Sequence, residues 1–200
     1  MAGKLLLSTA YLPPVEYFSL ISNSGKILIE LEESYIKQTY RNRCMILASD
    51  GTIRLTVPVM KDGRKDAPVK DVTIDYSKRW QQVHLRAMRS SYNSSPWFQF
   101  YFERFENCIL KNHKFLIDLN SGLLMVCLEI LKLERKVSFT KRYEPESDGD
   151  NDYRYRITPK MDSGFYYKPY PQVFNRGVFV PGLSIADLIF NTGPDAADYL

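Results

Sequence analysis

The stretch Tyr35–Arg43, Tyr-Ile-Lys-Gln-Thr-Tyr-Arg-Asn-Arg, gathers more chemistry than any other nine residues of the chain. Lys37, Arg41 and Arg43 can hold a carboxylate or phosphate through charge-assisted hydrogen bonds, the arginines as planar forks. Asn42 and Thr39 add neutral donors, and Tyr35 and Tyr40 offer faces on which a base or sugar ring can stack. The stretch lies between the apolar runs Lys26–Leu31 and Cys44–Ala48. It therefore reads as an anion-facing loop held by a strand on either side, against the plainer reading of an exposed connection with ordinary charges.

Two further side chains have reactive potential. His84 sits on the apolar side of a helical pattern whose other side is basic, and a neutral imidazole can serve as a general base. On spacing alone, a core histidine with its nitrogens satisfied is the stronger reading. Cys44 follows Arg43, and a cationic neighbour lowers a thiol pKa. A Cys44/His84 pair would be a nucleophile and its base, but Cys44 also opens an apolar run, where cysteine is commonly buried. His113, in Lys111-Asn-His-Lys, reads as solvated. Arg79, Arg86 and Arg89 read as a basic helix face open to solvent.

The elements that must position these groups follow from periodicity and punctuation. Lys4–Ala10 reads as a strand, and Pro13 or Pro14 opens a helix that ends at Asn23-Ser-Gly25. Lys26–Glu30 is then a second strand, parallel to the first. Ser49-Asp-Gly51 joins two apolar runs, Cys44–Ala48 and Thr52–Met60, as a hairpin. Asp71–Tyr76 alternates like a strand. Three helical patterns follow. The first turns Trp80, Val83, His84, Ala87, Met88 and Ser91 inward; the second is capped at Ser95-Pro96; the third spans Phe115–Leu133. Val137–Thr140 and Tyr153–Pro159 read as late strands. Ser184-Ile-Ala-Asp187 has capping-box spacing for a last helix, stopped at Gly193-Pro194.

The expected fold is α+β (mixed α/β), one domain over 1–200. It has a mixed sheet of about five to seven strands under a cluster of about three or four helices. Within it Glu144–Asp152 reads as a mobile acidic loop. That stretch holds five of the 23 acidic residues and no base, so the rest of the chain sets 27 basic against 18 acidic residues. Such a surplus suits an anionic partner, a small nucleotide or phosphate ligand among them, or serves plain solubility. Nucleic acid would need one continuous basic surface with exposed aromatics and a steep salt dependence, and the acidic stretch weighs against it.

Three cysteines without CxxC spacing, beside only two histidines, give no zinc framework and no disulfide scaffold. The motifs that announce a phosphate loop, a zinc protease or a serine hydrolase are absent, and no cofactor is named by the sequence. Leu5–Leu7 is too short for a signal-peptide core, and no run approaches a membrane span, so the cytoplasm is expected. Aromatics near Tyr166–Tyr170 would suit a homodimer contact.

Taken in order, Tyr11-Leu-Pro-Pro-Val-Glu-Tyr-Phe, Tyr40-Arg-Asn-Arg-Cys-Met-Ile, Gly51…Leu55-Thr-Val-Pro58-Val, Trp80…His84, Tyr92…Ser-Pro96-Trp-Phe98 and Leu119-Asn120 resemble the WbqC-like family. In the tail, Tyr170-Pro-Gln172-Val-Phe and Leu183–Gly193 resemble one branch of it, so the resemblance runs nearly the whole length. Members are typically encoded in bacterial polysaccharide and O-antigen loci. The resemblance implies work near nucleotide-activated or lipid-linked sugars, with acyl or aminoacyl transfer to an amino sugar as the candidate reaction. The alternative it leaves open is a non-enzymatic binding or assembly protein of the same pathway. Carried over by position, Tyr11, Pro13, Tyr17, Lys37, Asn42, Arg43, Pro58, Trp80, His84 and Tyr92 match. This adds Tyr11 to the ligand-binding candidates Lys37, Tyr35, Tyr40, Asn42 and Arg43, and strengthens His84 beside Cys44 as the catalytic ones. The family's Gln-Pro before this element is here Ser8-Thr9, and its Asp-x-Val-Gln-Tyr is here Leu31-Glu-Glu-Ser-Tyr35. Loss of that Gln and Asp points to a different substrate or a weaker activity.

Overall fold

The structure, a computed structural model, describes residues 4–60, 67–145, 151–161, 163–175 and 177–200. Among the described residues three strands make the first sheet. β1 (Lys4–Ser8) and β2 (Lys26–Glu30) run parallel, in register from Lys4↔Lys26 to Ser8↔Glu30. β5 (Lys136–Phe139) joins β2 on its other side, also parallel. The connection between β1 and β2 is α1 (Val15–Ser22), whose N-cap is Pro14; a proline there loses no helical hydrogen bond. Leu5, Leu7, Ile27 and Ile29 are buried on the sheet's inner side.

β3 (Arg43–Ala48) and β4 (Gly51–Thr56) form a separate antiparallel hairpin. Gly51 closes its turn at φ 117°, a conformation that a side chain resists. Cys44, Ile46 and Leu55 face the core, and Arg43, Met45, Arg54 and Thr56 share the outer face.

Four more helices complete the domain: α2 (Trp80–Tyr92), α3 (Phe98–Ile109), α4 (Leu116–Ile130) and α5 (Ile185–Thr192). All eight residues of α5 are buried. Its Phe190 lies 5.1–5.3 Å, ring to ring, from Tyr92, Phe98 and Phe105, so one aromatic cluster ties α2, α3 and α5. A 3-10 turn, Gly193–Tyr199, follows.

Among the described residues the five strands thus split into sheets of three and two, where one mixed sheet of five to seven was expected. Asp71–Tyr76 does not join either sheet. A 3-10 turn covers Val69–Asp71, and the chain then bonds alternately to two neighbours, Met60 N to Thr73 O and Ile74 N to Lys114 O, rather than forming a ladder with one. Pro58 lacks the N–H that a longer ladder would need. Tyr153–Pro159 is not a strand either. One bridge, Leu6↔Asp152, starts a pairing, and the chain then turns so that Arg154 enters the interior.

Two cap readings also change. Ser95 does not cap α3; it is buried and donates to Asn191 Oδ1 at 3.0 Å. Ser184 does cap α5, accepting from Ala186 N at 3.2 Å. Asp187 does not close the box, because Ser184 N is used by Met45 O. Its carboxyl turns inward to accept from Tyr170 Oη at 2.7 Å and Gln172 Nε2 at 3.3 Å, and burial raises its pKa. Tyr170 is therefore buried, and Tyr166 is the tyrosine of that loop left exposed. Of the acidic loop, residues 146–150 lie outside the described residues. Its Asp152 pairs with Arg154.

Candidate functional site

The end of β4 and the start of α2 enclose an open cleft of about 360 Å³. Arg54, Leu55, Thr56 and Pro58 line one side, and Lys78, Arg79, Trp80, Val83 and His84 the other. No side chain caps the N-terminus of α2 and its first turn has no acid, so the positive end of the helix dipole adds to the basic charge there. Lys78 and Arg79 stay exposed while Trp80 is buried.

α2 is rotated from the expected setting. Gln81 is inside, donating to Ile109 O at 2.6 Å, and Val83 stands outward, 60 % exposed on the cleft wall. The amide's need for a partner at that carbonyl outranks the burial of one more aliphatic group.

His84 is buried at the base of the cleft. Its Nε2–H donates to Thr56 O at 3.2 Å, so Nδ1 accepts from Tyr11 Oη at 2.9 Å. Tyr11 is fully buried and its pKa is raised, which keeps it a phenol and a donor. Burial lowers the imidazole pKa to about 4, only partly offset by the Thr56 carbonyl. His84 is therefore neutral near pH 7, with both nitrogens engaged. The ring of Trp80 stands edge-on to it at 5.1 Å, and the buried Trp80 Nε1–H has no partner.

Arg43 lies beside this place, on the neighbouring strand of the hairpin. It pairs across the hairpin with Thr56, the residue whose carbonyl His84 holds. Arg54 lies on the same outer face, and its charge, after desolvation, lowers the pKa of Arg43. The buried Nε of Arg43 also has no partner. Among the described residues every ion pair involves other cations, leaving Arg43, Arg54, Lys78 and Arg79 without a carboxylate. Asp75 feels the Lys78 charge but does not line the cleft.

The rest of the Tyr35–Arg43 loop divides. Lys37 is exposed, and Tyr35 and Tyr40 are half-buried. Asn42 is buried, tying the loop to β4 through Nδ2 and Val57 O at 2.8 Å, with Oδ1 unpartnered. Arg41 points into the protein. It meets Glu33 through Nε at 2.9 Å and a terminal nitrogen at 2.6 Å, and it also donates to Ser8 and Thr39. It is not free for a ligand. Cys44 is fully buried among apolar side chains, which raises its thiol pKa far from the thiolate range. That environment suits packing, not nucleophilic attack.

Sequence reasoning passed over a second buried cluster, at the carboxyl ends of β1 and β2. Arg154 lies there with Asp152 at 2.6 Å, Glu30 at 3.0 Å and the Glu144 carbonyl at 2.9 Å. Ser8 Oγ donates to Arg154 O at 2.7 Å and so joins this group to the Arg41–Glu33 pair. The available signal was Glu30 at the end of a buried strand and Glu33 three residues on, since buried acids there need a cation.

A sequence model of the WbqC-like protein family matches residues 9–169 and again 163–199. The chain belongs to the WbqC-like protein family. This WbqC-like chain is also similar to "Uncharacterized protein Rv1507c" of Mycobacterium tuberculosis, 26 % identical over 225 residues, covering 98 % of this chain and 96 % of that one. No solved structure matches it. Of the WbqC-like positions recognised in the sequence, Arg43, Pro58, Trp80 and His84 gather at or beside the cleft, and Tyr11 reaches it through His84. Among the described residues no helix is long and apolar enough to cross a membrane.

Proposed function

We propose that this WbqC-like protein works in the cytoplasm in bacterial polysaccharide biosynthesis, where the cleft binds the phosphate-bearing part of a nucleotide-activated or lipid-linked amino sugar. One observation carries the reading: Arg54, Lys78 and Arg79 line the cleft, Arg43 lies beside it on the hairpin, and among the described residues no carboxylate pairs with any of them. The unpartnered Trp80 N–H and the uncapped helix N-terminus support it. Acyl or aminoacyl transfer to the sugar's amine is the reaction such a complex would serve. His84 enters this reading as a neutral group that fixes Thr56 and Tyr11 in place, because neither nitrogen is free to take a proton. That same observation favours a second reading, a binding or assembly protein of the pathway with no chemistry of its own.

Titration calorimetry with pyrophosphate and with a uridine-diphosphate amino sugar tests the binding. Arg54→Ala and Arg79→Ala should each weaken both ligands about tenfold, as loss of a charge-assisted contact does. Unchanged affinity in both variants overturns the site. Mass spectrometry of the sugar, incubated with protein and activated acyl or aminoacyl donors, separates the readings: a product means a transferase, and binding without product means the assembly role.

A further inference from the structure

We infer that, of the two forms of activated sugar, the cleft takes the lipid-linked one: a phosphate or diphosphate ester carrying a hydrocarbon chain. This rests on the proposed anion site and concerns what else the bound molecule carries. The argument is the division of the cleft walls. Arg54, Lys78 and Arg79 supply charge, and Pro58, Trp80 and Val83 supply an apolar surface. Among the described residues no carboxylate or amide side chain lines it. Of the polar groups on its floor, His84 is used on both ring nitrogens and Thr56 through its carbonyl, which leaves the Trp80 N–H as a donor for the phosphate. A ribose and a base placed there would exchange water for walls that return few hydrogen bonds, and a site of that kind discriminates against polar groups. A hydrocarbon chain loses nothing and leaves water.

Val83 is the sharpest mark. It is an aliphatic side chain 60 % exposed on the cleft wall, one turn from the two cations that open the helix. A chain leaving a phosphate held at Lys78 and Arg79 has Val83 and Trp80 as its first surface. The volume, about 360 Å³, lies in the range of small-molecule sites, and the cleft is open, so a longer chain continues outward.

Calorimetry below micelle-forming concentrations, with pyrophosphate, uridine diphosphate and geranyl diphosphate, tests this. Geranyl diphosphate should bind more tightly than either of the others by about tenfold or more, since each methylene leaving water contributes about fourfold. Val83→Asn, at an exposed position, should narrow the ratio between geranyl diphosphate and pyrophosphate, whereas Arg79→Ala should weaken both and leave the ratio in place. Uridine diphosphate binding as tightly as geranyl diphosphate overturns the inference and spares the anion site, as does a ratio unmoved by Val83→Asn. Failure of all three ligands to bind removes the anion site, and the inference with it.

Discussion

The Nδ1 of His84 lies 2.9 Å from the phenolic oxygen of Tyr11, with both side chains buried. The bond joins the chain just after β1 to α2, while the Thr56 carbonyl fixes which nitrogen carries the proton. Burial makes the imidazole hard to charge.

The first prediction concerns acid. The folded His84 takes a proton only near pH 4, against an ordinary value of 6.5. Between these values the unfolded chain binds the extra proton, so stability falls as pH drops through that window and is full above it. The shift corresponds to about 3 kcal/mol. Urea unfolding of His84→Gln should show lower stability at pH 7 and a shallower decline towards pH 4 than wild type. Parallel declines in the two proteins would show that His84 is not the group being titrated.

The second concerns the buried pair Arg41–Glu33, with exposures of 3 % and 0 %. Arg41→Met leaves Glu33 without its counter-charge and should cost about 3–5 kcal/mol in unfolding free energy. The double variant Arg41→Met, Glu33→Leu should recover most of that loss. A double variant as unstable as the single one would mean that Arg41 acts through Ser8 and Thr39 instead.

The third is steric. Gly193 ends α5 at φ 56°, with the indole of Trp97 against its Cα, so an added Cβ would overlap the ring. Gly193→Ala should lower stability by about 2–4 kcal/mol, from overpacking and backbone strain together. Trp97→Leu in the same chain should return part of it. Thermal melting of wild type and the two variants reads this directly.

The fourth is chemical. Cys44, Cys108 and Cys127 are all buried, and burial raises each thiol pKa. In native buffer at pH 8 a thiol reagent should label none of them at the rate of an unfolded chain, and all should react in denaturant. Rapid native labelling of Cys44 would revive it as a nucleophile.

Local rules made much of this fold legible. The parallel β1–β2 unit, the Gly51 hairpin and the inner stripe of α3 follow from periodicity and turn chemistry; that spacing picks out Phe98, Tyr101, Phe102, Phe105, Cys108 and Ile109, all buried but the half-buried Tyr101. What stayed hidden depends on pairing across long separations. Arg154 meets Glu30 across 124 residues, and no local pattern records that. The same holds at the cleft. Arg43 and His84 were each visible by type, but that both meet at Thr56 depends on hairpin register and on the rotation of α2, which Gln81 sets. Arg41, two residues from Arg43, looked the same in sequence and went to the interior because Glu33 awaits it there.

The complete burial of α5 bears on how the molecule is made. The centre of the aromatic cluster arrives only when Phe190 is synthesised, long after α2 and α3 have left the ribosome. Until then Tyr92, Phe98 and Phe105 lack the ring they close upon, and the nascent chain offers a sticky surface to chaperones. A message cut short before Ile185 should yield inclusion bodies instead of a smaller working protein.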